Sequence, residues 1–133
     1  MKKKFLVGSD LANVQKTSRE VLSFLKPLSL SAAVSFDIRL CLEEALINAM
    51  KYGNAMRKEL PVALQVETSP KEVRITVEDQ GAGFDVKRIE DCTNEKNLFS
   101  NSGRGVYLMH RLMDRVRYSD KGNKLMLVKL LKK

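Results

Sequence analysis

The chain predicts an α+β fold: a two-layer sandwich with helices on one face of a mostly antiparallel mixed sheet. Three observations point there. After a short opening strand the hydrophobic period is helical for two long segments, it changes to strict alternation after Pro61, and one further helical segment precedes two closing strands. At 133 residues and 44% hydrophobic composition, the chain can close one core and is read as one domain spanning 1–133.

Residues Lys3 to Gly8 read as a strand. Ser9 or Asp10 then caps a helix running to about Lys26, with Leu11, Val14, Thr17, Ser18, Val21, Leu22 and Leu25 on one face, and Pro27 ends it. A second helix, rich in Leu, Ala, Ile and Met, runs from Ser31 to Tyr52. It is expected to stop at Gly53-Asn54, where residues able to adopt positive φ commonly close helices. Val62, Leu64 and Val66 alternate with Ala63, Gln65 and Glu67; Ser69-Pro70-Lys71 turns the chain into Val73, Ile75 and Val77, giving an antiparallel hairpin. The glycine-rich bend Asp79-Gln80-Gly81-Ala82-Gly83-Phe84 ends that strand, and a polar segment, expected to be mobile, lasts until Ser102. Ser102-Gly103-Arg104-Gly105 opens a helix carrying Val106, Leu108, Met109, Leu112 and Met113. Strands around Arg115 to Ser119 and Lys124 to Leu131, joined by Asp120-Lys121-Gly122-Asn123, close the chain. One sheet face takes the helices; the other is solvated or meets a partner.

Composition excludes several function classes. The net charge of +8 is dispersed among 16 acids and concentrates at Lys2 to Lys4 and Lys132 to Lys133. No basic and aromatic stripe accompanies it, so nucleic acid is not the expected partner. Ser9 and Asp10 cut the apolar run Phe5 to Gly8 well short of a signal peptide, and no membrane-spanning segment follows. Cys41, in an apolar helical stretch, reads as a buried free thiol far from Cys92, which fits a reducing cytoplasm. There is no P-loop, no Cys or His cluster with metal-ligand spacing and no nucleophile elbow. His110, the only histidine, reads as a surface or packing residue.

Three short patterns carry chemistry. Glu44 and Asn48 lie four apart on the second helix, so they project from one face; a carboxylate and an amide so placed can position a hydroxyl and hold a hydrated Mg²⁺. Asp79-x-Gly81-x-Gly83 follows an apolar strand; its carboxylate can accept from an exocyclic amino group, and the glycines allow close backbone approach to a flat ligand. Ser102-Gly103-Arg104-Gly105 begins a helix whose free N–H groups suit phosphate. Each alone also fits a solvated helix face, a turn or an unliganded cap. Their order is what makes them specific: Asp79 lies 31 residues after Asn48, and Gly103 lies 24 after Asp79.

Together they resemble the N box and the two glycine boxes of the gyrase, heat-shock chaperone, histidine kinase and mismatch-repair ATPase superfamily, with its Bergerat-type fold. The resemblance covers roughly Ser31 to the C-terminus. The form Glu44-Ala45-Leu46-Ile47-Asn48-Ala49-x-x-Tyr52-Gly53 and the short stretch before Ser102 resemble the anti-sigma-factor serine kinase branch. That resemblance implies ATP and Mg²⁺ as cofactors. Glu44 would be the general base toward a protein serine or threonine, Asn48 would hold the metal, Asp79 would read the adenine amino group, Gly81 and Gly83 would let the base lie against the backbone, and Gly103, Arg104 and Gly105 would wrap the phosphates. Lys51 reaches the phosphates or snorkels at the surface. Asp85 to Asn101 would be an ATP lid. The implied partners are ATP or ADP, an anti-sigma antagonist as substrate, a sigma factor and a second copy of the chain, all in the cytoplasm. A nucleotide-gated binding module without phosphoryl transfer uses the same binding residues. Two positions depart from the pattern: Asn123 stands where a Thr commonly assists adenine recognition, and Tyr52 where a His often precedes the glycine.

Overall fold

The computed structural model describes residues 1–81 and 101–131; in the helix that begins at Asn101, side chains are described from Tyr107 onward. The elements follow one another as β1 (Lys2–Val7), α1 (Ala12–Leu25), α2 (Ala32–Asn48), β2 (Val62–Thr68), β3 (Glu72–Glu78), α3 (Asn101–Leu112), β4 (Arg115–Tyr118) and β5 (Lys124–Leu130). Among the described residues no helix is long and apolar enough to cross a membrane.

The alternation after Pro61 does what its period requires. Val62, Leu64, Val66, Val73, Ile75 and Val77 are buried, and their neighbours Ala63, Gln65, Arg74 and Thr76 stand on the opposite face. The five strands form one sheet in the order β1-β2-β3-β5-β4. Every described pairing is antiparallel, so the sheet is not mixed among these residues. Register places Leu64 opposite Val77 and Ile75 opposite Leu127, which keeps the apolar side chains in one layer.

The helices cover that layer. α1 buries Val14, Thr17, Ser18, Val21 and Leu25, and α2 buries Ile38, Cys41, Leu42, Ala45 and Leu46, both at three- and four-residue spacing. α2 packs against α1 on one side and α3 on the other. Leu11 is exposed rather than part of the α1 face. Ser31 caps α2 as expected, its hydroxyl accepting from Val34 N at 3.1 Å. At α1 it is Asp10 that serves, its carboxylate accepting from Ala12 N at 3.0 Å; Ser9 is buried and bonded elsewhere. After α1 the chain makes one 3₁₀ turn, Lys26–Leu28, containing Pro27.

The end of α2 differs from the expectation. The last turn, Ala49–Gly53, is a π turn in which Asn54 N donates to Ala49 O at 2.9 Å. Neither Gly53 nor Asn54 has positive φ; the left-handed residues are Ala55 (φ 51) and Met56 (φ 58). Gly53 is therefore not there to free the backbone, and the reason for it lies in the site.

Candidate nucleotide site

The site forms where the C-terminal end of α2 meets the end of β3. Asp79, the residue after β3, is buried, at 4% exposure. Its Oδ1 accepts from Gly81 N at 2.8 Å, and Oδ2 has no hydrogen-bond partner among the described residues. Burial raises its carboxyl above the ordinary range; the Gly81 bond opposes this and the charge of neighbouring Glu78 adds to it. A buried carboxylate with one open oxygen is an acceptor waiting for a donor.

The fit around that carboxylate explains two glycines. A Cβ on Gly53 would lie 2.1 Å from Asp79 Cγ, and one on Gly81 would lie 2.1 Å from Gly53 O. Thus helix end and turn interlock through Gly53, Asp79 and Gly81. Asn48 and Asp79, together with Ala45, Ala49, Val77, Tyr118, Gly122, Asn123 and Leu125, line a cavity of about 20 Å³, room for about one water. Asn123 supports Asp79 from β5's side: its carbonyl accepts from Asp79 N at 2.9 Å, and its Nδ2 donates to Asp79 O at 3.4 Å. The departure from Thr at this position therefore leaves a residue that braces the peptide of Asp79. Gly122, with φ 79, makes the turn that brings Asn123 there.

On α2, Glu43 and Glu44 separate by about 100° of helix rotation. Ser18 of α1 donates to Glu43 Oε2 at 3.0 Å, whereas Glu44 has no hydrogen-bond partner among the described residues. Asn48 follows Glu44 by one turn and borders the cavity. Lys51 and Tyr52 are exposed on the π turn. Gly103, Arg104 and Gly105 lie in the N-terminal part of α3. Gly83, Cys92 and nearly all of the segment Asp85 to Asn101 lie outside the described residues. Among the described residues no cluster of three His, Cys, Asp or Glu is present. The residues present fit a nucleotide in this sense: an Asp79 oxygen with no hydrogen-bond partner among the described residues to accept from an amino group, Gly53 and Gly81 packed around that carboxylate, and an amide one helical turn from Glu44. Two larger concavities among the described residues, over the helix-free sheet face and at the far end beside Leu28, Leu30 and Leu130, contain no motif residue.

Sequence reasoning missed Asn54. It is 1% exposed and reaches three chain segments: Nδ2 donates to Leu60 O at 2.7 Å and to Ser9 Oγ at 3.1 Å, and Oδ1 accepts from Gln80 N at 2.7 Å. Its position beside Gly53 suggested a helix stop, and only a pairing of Ser9 with Asn54 across 45 residues would have revealed the network.

The profile of the histidine kinase-like ATPase domain matches residues 7–129. An anti-sigma F factor of Clostridium perfringens is 29% identical over 97% of this chain and 94% of its own length. One of Clostridium novyi is 28% identical over 99% and 94%. The serine-protein kinase RsbW of Bacillus licheniformis is 30% identical over 71% of this chain and 64% of that protein. Among solved structures, a mycobacterial sensor histidine kinase, MprB, superposes with a TM-score of 0.56 at 15% identity, covering 98% of this chain and 97% of that one, a likeness of fold.

Proposed function

Because the chain belongs to the histidine kinase-like ATPase domain family, we propose that it is an ATP- and Mg²⁺-dependent protein serine/threonine kinase that acts as an anti-sigma factor and phosphorylates an anti-sigma antagonist. The observation that carries the reading is the buried Asp79, with one oxygen held by Gly81 N–H and the other without a hydrogen-bond partner among the described residues, beside Asn48, which follows Glu44 by one turn of α2. The names of relatives that match nearly the whole chain support the anti-sigma role.

In this reading Asp79 Oδ2 would accept from the adenine amino group, and Asn48 would supply an oxygen to Mg²⁺, which when bound would neutralise charge on the phosphates. The N-terminus of α3 turns its free backbone N–H groups, that of Gly103 among them, toward the phosphate groups, with Arg104 and Gly105 following directly. Glu44 accepts the proton from the hydroxyl of the acceptor serine or threonine. Catalysis is mostly positioning and electrostatic stabilisation, as phosphoryl transfer demands. Gly83 contributes a close approach to the base, and Lys51 reaches the phosphates from the exposed π turn. The protein works in the cytoplasm as a homodimer and binds a sigma factor in its ATP-bound form.

The test is calorimetric titration with ATP and ADP, with and without Mg²⁺, followed by transfer of label from γ-labelled ATP to a candidate antagonist. Wild type is expected to bind and transfer, Asp79→Asn to bind weakly, and Glu44→Ala to bind normally without transfer. Transfer at the wild-type rate by Glu44→Ala would end its assignment as base. Binding without transfer to any antagonist would leave a nucleotide-gated docking module. No binding at millimolar nucleotide would remove the ATP site altogether.

A further inference from the structure

Building on the nucleotide reading, we propose that Asn54 is a positioning residue for base recognition: its side chain locks the peptide after Asp79 and thereby fixes where the open carboxylate oxygen meets the base.

The amide of Asn54 has one workable orientation. Ser9 Oγ donates to Leu60 O at 2.6 Å, so that hydroxyl meets Asn54 as an acceptor, and Leu60 O is an acceptor as well. Both therefore require the NH₂ end of the side chain, and a flipped amide would set oxygen against oxygen. The oxygen is left pointing at Gln80 N. Three successive N–H groups of the turn are then held by three different acceptors: Asp79 N by Asn123 O, Gln80 N by Asn54 Oδ1, and Gly81 N by Asp79 Oδ1. The last bond fixes the carboxylate rotamer, and it forms only if Gly81 N is aimed correctly by the peptide before it, the one that Asn54 holds. The two left-handed residues that follow, Ala55 and Met56, cost about 1–2 kcal/mol each. That cost accompanies a bend which returns the chain to Leu60, the carbonyl Asn54 needs.

A residue that only stabilised the fold would not distinguish one base from another, and the experiment uses this. Dissociation constants for ATP and for inosine triphosphate, whose base lacks the exocyclic amino group, are measured by calorimetry on wild type, Asn54→Ala and Val66→Ala. Val66 is buried in β2 and forms no part of the site. Asn54→Ala is expected to weaken ATP by about tenfold or more while changing inosine triphosphate less than about twofold. Val66→Ala is expected to lower the melting temperature with both affinities within about twofold of wild type. If Asn54→Ala lowers only the melting temperature, or weakens both nucleotides equally, the positioning role is wrong. If wild type binds neither nucleotide, the nucleotide reading itself falls and this inference falls with it. Should Asn54→Ala not fold, amide exchange on the wild type decides. A Gln80 amide protected in the free protein is expected, and one protected only after ATP is added overturns the proposal.

Discussion

Gly53→Ala sets backbone preference against packing, and the structure gives the size of both. Gly53 has no positive φ, so alanine is compatible with its backbone, and helix propensity alone would favour the change by about 1 kcal/mol. The added methyl, however, would lie 2.1 Å from Asp79 Cγ, 2.3 Å from Oδ2 and 2.6 Å from Cβ. Restoring an ordinary carbon contact of about 3.5 Å needs a shift of about 1.4 Å, which a side chain buried and bonded to Gly81 cannot make without breaking that bond. Overpacking costs about 1–3 kcal/mol and the lost buried hydrogen bond about 1–3 kcal/mol. The packing terms win, and a net loss of roughly 1–5 kcal/mol is expected, read as a lower urea midpoint at unchanged m-value. ATP affinity is expected to fall at least about tenfold, because the displaced carboxylate is the one that meets the amino group. Asp79→Gly in the same background removes all three clashing atoms, so part of the stability loss returns and the two changes are non-additive by about 1 kcal/mol or more. A Gly53→Ala protein as stable as wild type, with unchanged ATP affinity, would refute the interlock.

Two further predictions concern the framework. Lys129 of β5 donates to Leu112 O at 2.6 Å, at the end of α3, and to Asp37 Oδ2 at 3.2 Å on α2, in a pair only 15% and 23% exposed. Lys129→Met leaves both acceptors unpaired, and a loss of about 2 kcal/mol, or roughly 6 °C in melting temperature, is expected by calorimetry. Burial, reinforced by the charge of Asp37, pushes the Cys41 thiol up to about 12 from 9.0. In a Cys92→Ser background it is expected to resist iodoacetamide at pH 8 in the native state and to react in urea. Because its folded pKa is raised, its contribution to stability is complete below about pH 9 and is lost as pH rises toward 12; a native thiol alkylated at the unfolded rate would contradict the burial.

What the sequence made legible is what local pattern encodes. Alternation between Val62 and Val77 gave the hairpin and its buried face, and Ser31 and Pro27 marked helix boundaries, because each signal acts within a few residues of itself. Asp79, Gly81 and the Glu44–Asn48 pair stood out as motifs; that Asn48 and Asp79 line one cavity follows from β3 ending beside α2. The role of Gly53 was misread because the contact that demands a bare Cα comes from Asp79, 26 residues away. Ser9 and Asp10 both read as caps for α1, because either side chain suits a helix start; Asp10 takes that duty, and Ser9 is buried where Leu60 and Asn54 can use its hydroxyl. The antiparallel pairing of all the described strands was equally non-local, since β1 and β4 occupy the two edges only after the middle strands are in register.

One helix sets both halves of the proposed chemistry. α2 carries Glu44 and Asn48, which would handle hydroxyl and metal, and continues without a break through the π turn into Gly53 and Asn54, which shape and hold the turn of Asp79. The distance between the base-recognition carboxylate and the proton-accepting carboxylate is therefore fixed by a rigid element and by one interlock, not by a loop. The π turn matters here: its bond from Asn54 N to Ala49 O spans five residues where an α-helical turn would span four. The register it sets is the one in which Gly53 O meets Gly81 and the Asn54 side chain meets Gln80. Deleting one residue between Ala49 and Gly53 would restore an α-helical count while rotating Gly53 and Asn54 by about 100° away from the turn. Such a deletion would uncouple the base site from the phosphate site while leaving Glu44 and Asn48 where they are.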